Sequence, residues 1–187
     1  MVGNVHVNTS PFNGANKTTD FIGDRWVFRL RYGPQSHAQL PKLRAFWNRF
    51  KGAAHVCQIW NMANPVPLGT MRGSPTLAAG KVAGTAEFSI VRTDAGTLLP
   101  GDWVGITLSN GAVQTVEVVE SIVTNGLQIT VNPPLRRDTV GGAPVYWFHP
   151  LVSCLLSESP VISHGLGSAN NVGYSDGFSV DLVEFIE

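Results

Sequence analysis

The sequence predicts a mainly β fold with one principal α-helix, in which a β-rich core is interrupted by an inserted small β-barrel or sandwich module. Its 20 glycines and 12 prolines in 187 residues favour turns and strands over long helices. Short apolar runs separated by turn signals fill the middle of the chain, whereas a single segment shows helical hydrophobic spacing. We place the core in residues 1–65 and 149–187, and the inserted module in residues 66–148.

Length and charge exclude several classes of protein. A chain of 187 residues can bury a core without metals or disulfide staples. Thirteen basic and thirteen acidic residues cancel, so the chain lacks the basic surplus of a nucleic-acid-binding protein. Charged residues make up 14% of the chain, against roughly 25% in ordinary domains. Because surfaces poor in charge tend to associate, we expect protein partners to cover much of this one.

The charges are unevenly distributed along the chain. Residues 1–60 contain eight Lys or Arg and two Asp, whereas residues 151–187 contain five acidic residues and no basic one. This opposition favours contact between the two ends, within one chain or between neighbouring copies. The sequence opens on no secretion leader, and no apolar run approaches the roughly 18 residues of a membrane span, so we expect no membrane partner.

The first third predicts a strand, a helix and a second strand. Residues 25–32 alternate between apolar and mainly basic side chains, which is typical of a half-buried strand. Residues 37–51 predict the helix, with Pro41 suited to its first turn and Gly52 to its C-terminal stop. Residues 53–60 are apolar in both phases, which predicts a central strand. The predicted buried face of the helix consists of Leu40, Leu43, Phe46, Trp47 and Phe50.

The middle of the chain predicts consecutive β-hairpins. Asn110-Gly111 and Asn125-Gly126 are strong signals for two-residue turns. Strands joined by such tight turns are typical of a small barrel or sandwich. The runs between the turn signals predict strands at residues 88–91, 103–108, 113–119, 122–123 and 127–131.

The two ends of the chain are less regular. Residues 1–24 are rich in turn formers and predict either short strands near residues 5–7 or a peripheral arm that orders on a neighbour. Residues 151–156 predict a strand, and residues 159–177 a long loop. The final segment alternates and then changes phase, so we expect a β-bulge near Leu182–Val183.

Metal and cofactor motifs are scarce. The sequence contains no phosphate loop, no nucleophile elbow and no CxxC motif. His55 and Cys57 share one strand face, with His149 and Cys154 as candidates for further ligands, but packed core residues are the favoured interpretation. The two cysteines are expected to be free thiols rather than a disulfide. We expect no metal and no cofactor.

Two enzyme interpretations rest on weak patterns. Ser163-His164 with Asp176 has the letters of a catalytic triad but lies in the predicted loop. A carboxylate pair for sugar hydrolysis is the second, although a solvated surface is the favoured interpretation of its candidates. Those candidates are Asp94, Asp102, Glu117 and Glu120. We expect no enzyme activity.

Aromatic residues offer a different function. If exposed at strand spacing, they would stack against sugars and make the protein a carbohydrate-binding module for host surface glycans; packing in the core is the favoured interpretation. The residues concerned are Trp26, Phe28, Trp60, Trp103 and Trp147.

A series of motifs carries a family resemblance. In order they are GDRWVFRL at residues 23–30, LRAFWNRFKG at 43–52, VCQIW at 56–60, PLGT at 67–70, LLPGDWVGI at 98–106 and VNPPLR at 131–136. Together they resemble tail-tip proteins of long-tailed, siphovirus-like bacteriophages and prophages, of the distal-tail type. The resemblance implies a structural protein that forms a ring, often sixfold, at the end of the tail tube. Such a ring joins the tube to hub, baseplate and receptor-binding proteins around a DNA channel.

The resemblance also implies partners and a location. The partners would be further copies of this chain, the tail tube protein and hub or baseplate proteins, with no sequence-specific nucleic acid, in a virion assembled in the host cytoplasm. A ring closed by heterologous contacts needs two complementary patches on each subunit. We therefore expect the basic strand face to meet acidic residues of the C-terminal segment, with Glu158 as a further candidate. The predicted interface residues are Arg25, Arg29, Arg31, Asp176, Asp181 and Glu184.

Overall fold

The structure is a computed structural model, and it describes residues 5–9, 16–20, 25–33, 35–36, 38–62, 64, 66–123, 126–158 and 177–185. Within them the chain is mainly β with a single short α-helix, as predicted. The elements are β1 (Val5–Thr9), β2 (Asn16–Asp20), β3 (Val27–Tyr32), α1 (Leu40–Asn48), a 3-10 turn (Gly52–Ala54), β4 (Cys57–Ile59), β5 (Thr76–Leu77), β6 (Glu87–Val91), β7 (Trp103–Thr107), β8 (Val113–Val123), β9 (Leu127–Asn132), β10 (Val145–Tyr146), β11 (Val152–Leu156) and β12 (Phe178–Glu184).

The chain divides into two compact units. The first consists of Arg25–Gln58 and Ser153–Ile186, and the second of Ile59–Val152, with which Val2–Asp24 is grouped. In the latter segment β1 and β2 pair as an antiparallel hairpin, which corresponds to one of its two expected arrangements. The insertion of a module at residues 66–148 into a core formed by the flanking residues stays a prediction.

The first unit contains a four-stranded sheet in the order β3-β12-β11-β4. Strand β12 pairs antiparallel with β3 without interruption, from Phe178 opposite Tyr32 to Val183 opposite Val27. Positions along β3 alternate between exposed and half-buried, as the sequence pattern predicts. In the half-buried phase, the Tyr32 ring meets Trp47 of α1 edge-on at 6.3 Å between centroids.

Helix α1 is shorter than the predicted helix at residues 37–51. It begins at Leu40, with Pro41 in the first turn, where a missing N–H removes no intrahelical hydrogen bond. Leu40 and Trp47 are buried. Phe46, which the spacing assigns to the buried face, is 47% exposed, so that assignment is wrong.

The segment after the helix also differs from the prediction. Lys51, rather than Gly52, adopts the left-handed backbone conformation, at φ 46°. Strand β4 has three residues and lies at the edge of the sheet, so the central strand predicted for residues 53–60 is wrong. Val56 and Trp60 are 45% and 39% exposed, so the apolar side chains of this segment are not buried in both phases.

The bulge predicted near Leu182–Val183 is absent. Strand β12 alternates regularly to its end, and Glu184 occupies a buried position. Its carboxylate Oε2 accepts a hydrogen bond of 3.0 Å from the backbone N–H of Trp26. A carboxylate can occupy the apolar phase of a strand when a hydrogen bond replaces lost hydration.

The second unit is built on a six-stranded sheet in the order β10-β7-β8-β9-β6-β5. Its two outer strands meet at a seam, where Thr76 bridges Pro144 and the Leu77 N–H donates to the Ala143 C=O at 2.9 Å. The seam nearly closes the sheet into a barrel. Strands β5 and β10 have two residues each and carry no periodicity, so the sequence pattern gives no sign of them.

The consecutive hairpins β7–β8–β9 agree with the prediction, with two differences in detail. Strand β8 continues through a register shift between Val118 and Glu120, where the pattern predicts two separate strands. A bulge of this kind bends and twists one strand without ending it. The β7–β8 turn is longer than two residues, with Leu108 N–H bonded to Ala112 C=O at 2.8 Å and Gly111 at φ 85°.

The barrel interior holds the larger hydrophobic core. Alternate residues of its strands point inward, such as Phe88 and Ile90 of β6. Leu98 and Leu135 enter the same core from segments outside the strands and are fully buried. Both belong to the motifs of the family resemblance, so those motifs help to fill the barrel.

Candidate functional site

The carboxylate of Asp102 joins two loops of the barrel. Its Oδ1 accepts the N–H of Leu68 at 2.5 Å, and its Oδ2 accepts the N–H groups of Gly69 and Leu99 at 3.1 and 2.8 Å. Asp102 is 2% exposed, so the prediction of a solvated surface residue is wrong. We call this arrangement the Asp102 clamp. It accounts structurally for the Asp that follows Leu99-Pro100-Gly101.

The clamp holds two leucine side chains out of the core. Leu68 and Leu99, which share the carboxylate through their backbone N–H groups, are 61% and 44% exposed. A Cβ on Gly69 would lie 2.1 Å from the carbonyl oxygen of Thr97, so only glycine permits this close approach of the loops. We call Leu68 and Leu99 the apolar tip. Its backbone is fixed by hydrogen bonds to a buried carboxylate, which is the property of a preformed contact surface.

The second barrel motif, VNPPLR, is fixed in a similar way. The side chain of buried Gln114 donates from Nε2 to the Pro134 C=O and accepts from the Arg136 N–H through Oε1, both at 2.9 Å. One side chain therefore makes two hydrogen bonds to the main chain of the motif. Both barrel motifs of the resemblance have structural roles.

Four aromatic rings of the second unit contact one another in succession. The His149 ring lies between Phe148 and Trp60, with centroid separations of 4.0 and 5.6 Å and interplanar angles of 28° and 25°. The Trp147 ring meets Phe148 at 5.6 Å and 61°. We call Trp60, Trp147, Phe148 and His149 the aromatic row. Phe148 is 54% exposed and Trp60 39%, so the row presents aromatic surface to solvent.

The backbone at His149 and two side-chain contacts of Trp147 hold the aromatic row in place. His149 has φ 46°, an unusual conformation for a residue with a side chain, and it precedes Pro150. The Trp147 Nε1–H donates to the Gly73 C=O at 2.9 Å. The guanidinium of Arg72 lies 5.5 Å from the Trp147 ring centroid, within the range of a cation–π contact.

The charged strand face of the first unit contains one ion pair. Arg29 donates from Nε and Nη2 to both carboxylate oxygens of Asp181, at 2.8 and 2.7 Å. The two residues lie directly opposite each other on β3 and β12. These hydrogen bonds, followed by the charges of Arg29 and Arg31, lower the pKa of Asp181. The pair forms within one chain, which is one of the two arrangements left open by the sequence.

The other predicted interface residues differ in their environments. Arg25 and Arg31 are exposed, as is Glu158. Glu184 is buried and bonded to Trp26 within its own unit. Asp176 lies outside the described residues. The assignment of this set to a subunit interface stays a prediction.

The histidines and cysteines proposed as ligands do not form a cluster. Within the described part of the chain, no group of three or more His, Cys, Asp or Glu side chains is placed to hold a metal ion. Cys57 and Cys154 are free thiols, half-buried and buried. Burial, then the charges of Cys57 and Glu184, raise the pKa of Cys154 to about 12, so its thiol is protonated at neutral pH.

The carboxylates considered for hydrolysis are dispersed. Asp94 accepts the N–H of Gly96, two residues along, and Glu117 lies opposite Trp103 in the β7–β8 pair. Glu120 lines a shallow groove of about 200 Å³ on the outer face of β6, β9 and β8, which also contains Lys81 and Glu87. Ser163, His164 and Asp176 lie outside the described residues.

The aromatics considered for sugar binding are only partly together. Trp26 is buried and Phe28 half-buried in the first unit, and Trp103 is half-buried on β7. Trp60 and Trp147 are the two end members of the aromatic row and are linked through His149 and Phe148. Phe148 and His149 complete the row and were not among the candidates, although three consecutive aromatic residues at 147–149 were a visible signal.

Comparison with known proteins leaves the function to be inferred from these features. No protein-family model matches the chain, and no curated protein matches it. None of the helices in the described residues is of a length and apolarity that would span a bilayer.

Proposed function

We propose that the chain is a structural protein of a phage tail tip, a subunit of a ring that joins the tail tube to hub, baseplate or receptor-binding proteins around a DNA channel. The observation that carries the proposal is the Asp102 clamp. Its aspartate lies in one of the motifs that resemble those of tail-tip proteins, and it accepts three backbone hydrogen bonds, two of them from the residues of the apolar tip. All three hydrogen bonds of this buried carboxylate go to backbone N–H groups, and the leucines that it positions are exposed. This arrangement supports a role in assembly rather than in catalysis.

The composition of the surface supports the same proposal. Among the described residues, 18 large hydrophobic side chains are exposed, in a chain with only 14% charged residues. Single exposed hydrophobic residues are ordinary, but few charges separate these from one another. Burial between copies and against other tail proteins would remove this apolar surface from water.

The charged strand face supplies a second element of the proposal. Arg29 is engaged by Asp181 of the same chain, whereas no ion pair within the described residues involves Arg25 or Arg31. These two arginines are therefore the stronger candidates for contact with acidic residues of a neighbouring copy. Charges at such a rim set register and association rate more than affinity.

The oligomeric state tests the ring. We expect light scattering and negative-stain images of the purified protein to show one uniform oligomer, or uniform decoration of tail tubes. Leu68→Asp should weaken assembly while leaving the circular dichroism spectrum unchanged, because the side chain is exposed. Val82→Asp, at a 68% exposed position on another barrel loop, is the matched control. A monomer at all concentrations that also ignores the tube would overturn the proposal.

The charged face is tested separately. If Arg29→Glu leaves both folding and ring formation untouched, the predicted role of this face is wrong. Arg31→Glu should impair assembly without impairing folding, because Arg31 is exposed and makes no ion pair within the described residues.

A carbohydrate-binding module for host glycans is the second candidate, and the aromatic row favours it. Exposed rings offer flat apolar faces to sugar rings at small entropic cost. A saccharide should then quench or enhance tryptophan fluorescence in a saturable manner, and Trp60→Ala should abolish the response. Absence of saturable binding across neutral and acidic saccharides would remove this candidate.

A further inference from the structure

We propose that the aromatic row binds an acidic saccharide, with a sugar ring packed on Phe148 and a carboxylate held by Arg72. The inference names the ligand class for the second candidate function and rests on that function. It uses only residues of the second unit.

The rings provide the apolar half of the site. Phe148 is 54% exposed, although it stacks on His149 at 4.0 Å, so one of its faces is covered and other ring surface stays open. The C–H face of a pyranose is apolar and rigid, and it matches a ring face in size. Packing the two together removes apolar surface from water without freezing many bonds.

The site is preorganised before any ligand arrives. His149 adopts a left-handed backbone conformation directly before a proline, which is unfavourable for both reasons. Such conformations persist where the surrounding structure enforces them, and they concentrate at functional sites. The hydrogen bond from Trp147 Nε1 to Gly73 fixes the next ring. The row therefore needs little ordering on binding.

The charge of Arg72 selects the ligand class. The Nη1 nitrogen of Arg72 donates a hydrogen bond to the Met71 C=O at 2.6 Å, and the Arg72 guanidinium lies over the Trp147 ring. No carboxylate in the described part of the chain forms an ion pair with Arg72. An exposed guanidinium with N–H groups to spare is suited to a planar carboxylate, which it binds through two parallel hydrogen bonds. A uronic acid offers both the ring and the carboxylate.

A single-stranded nucleic acid also stacks on aromatic side chains, but it needs cations along its phosphates. In the described structure, the cation–ring contact of the row is that of Arg72 alone. The net charge of the chain is zero. The observations therefore favour a saccharide with a carboxylate on the ring that packs against the row, within reach of Arg72.

The experiment compares a galacturonic acid trimer with the neutral galactose trimer, by tryptophan fluorescence and calorimetry on the full chain. The acidic trimer should bind at least about tenfold more tightly, because it adds a charge-assisted hydrogen-bonded pair. Arg72→Gln should remove this preference, and Arg72→Lys should restore part of it. Phe148→Ala should weaken both trimers. Arg49→Gln and Phe46→Ala alter an exposed arginine and an exposed ring outside the row, and they should change neither.

Several outcomes separate this inference from the function on which it rests. Equal binding of both trimers, unaffected by Arg72→Gln, would overturn the acidic ligand while the carbohydrate function stands. Binding of neither trimer, with no response to other saccharides, would overturn both. A tetraglutamate peptide or an oligothymidine that competes more strongly than the acidic trimer would overturn the saccharide in favour of a peptide or a nucleic acid. Circular dichroism and the thermal midpoint of each variant confirm folding.

Discussion

The two units of the chain differ in how their buried polar groups are hydrogen-bonded. In the second unit, Asp102, Gln114 and Thr139 are all buried, and each bonds to main-chain groups of a neighbouring loop. In the first unit, Glu184 is bonded in this way, but the indole N–H of Trp47 is buried without a hydrogen-bond partner in the described structure. The best-defined charge pair of the first unit lies on its surface.

This difference indicates which kind of contact holds each unit rigid. Loops outside the barrel strands are fixed by a few side chains, each irreplaceable because it satisfies several main-chain groups. The first unit relies instead on aromatic packing around Trp47, and on alternation in β3 and β12. We therefore expect substitutions of the buried polar residues of the second unit to have larger effects than substitutions of the surface charge pair in the first.

The largest effect should come from Asp102→Ala. Three backbone N–H groups, one in a buried and two in part-buried hydrogen bonds, lose their acceptor, and a fully buried unsatisfied group costs about 1–3 kcal/mol. We expect the free energy of unfolding to fall by about 3 kcal/mol or more, as measured by urea denaturation. Asp94→Ala is the control, because Asp94 is exposed and accepts the N–H of Gly96 only two residues away. Equal losses in the two variants would contradict the clamp.

Gln114→Ala should have the next largest effect. It removes two hydrogen bonds to the main chain at Pro134 and Arg136, which together should cost about 2 kcal/mol. Hydrogen exchange at the Arg136 amide should accelerate more than the loss of global stability explains. Gln128→Ala, on the exposed face of β9, should leave both quantities unchanged. An unaltered Arg136 amide in Gln114→Ala would show that the motif is held by other contacts.

These polar contacts also mark the limit of what the sequence can predict. The hairpin at Asn110-Gly111 follows from local backbone preferences, so it was predictable. Asp102 is a residue type that is common in turns. It becomes a buried hydrogen-bond acceptor only because Leu68, 34 positions earlier, approaches it in the fold. Glu184 misled the phase assignment of β12 because its partner, the Trp26 N–H, is 158 positions away.

The same argument applies to the seam and the aromatic row. Strands β5 and β10 form because the two edges of the sheet meet. A two-residue segment is too short to contain a hydrophobic pattern that predicts a strand. Trp147, Phe148 and His149 are consecutive in the sequence. Their exposure and the contact of His149 with Trp60 depend on the fold, so the sequence favoured core packing for Trp60 and Trp147 and did not place Phe148 or His149 among the sugar-binding candidates.

Raising the pH so that the Cys154 thiol of the first unit ionises should change the free energy of unfolding by an intermediate amount. The Cys154 thiol has a pKa of about 12 when folded, raised from 9.0 by burial and then by the charges of Cys57 and Glu184. The unfolded chain therefore loses this proton first, so stability is fully present below pH 9 and declines between pH 9 and 12. At pH 10 the loss amounts to about 1.4 kcal/mol.

Cys154→Val removes this thiol while keeping its volume close to the original. From pH 7 to pH 10, the wild type should lose about 1.4 kcal/mol more stability than the variant, measured by urea denaturation at both values. Cys57→Val should show a smaller difference of the same sign, because burial raises the pKa of that half-buried thiol as well. Parallel losses in wild type and Cys154→Val would mean that the buried thiol is not the titrating group.

The smallest effect on stability should come from the Arg29–Asp181 pair, because both side chains are well exposed and salt screens them. Hydrogen bonds from Arg29 lower the pKa of Asp181, so the pair stabilises the fold above the ordinary carboxyl range and less as pH falls through the lowered pKa. Carbon-13 NMR should show Asp181 titrating below 3.8, and Arg29→Gln should return it towards that value. Arg49→Gln should not move it. If Asp181 titrates at its ordinary pKa in the isolated subunit, the pair is not formed there. Both residues would then be available to a neighbouring copy, and the charged strand face would be a contact between subunits rather than a brace within one.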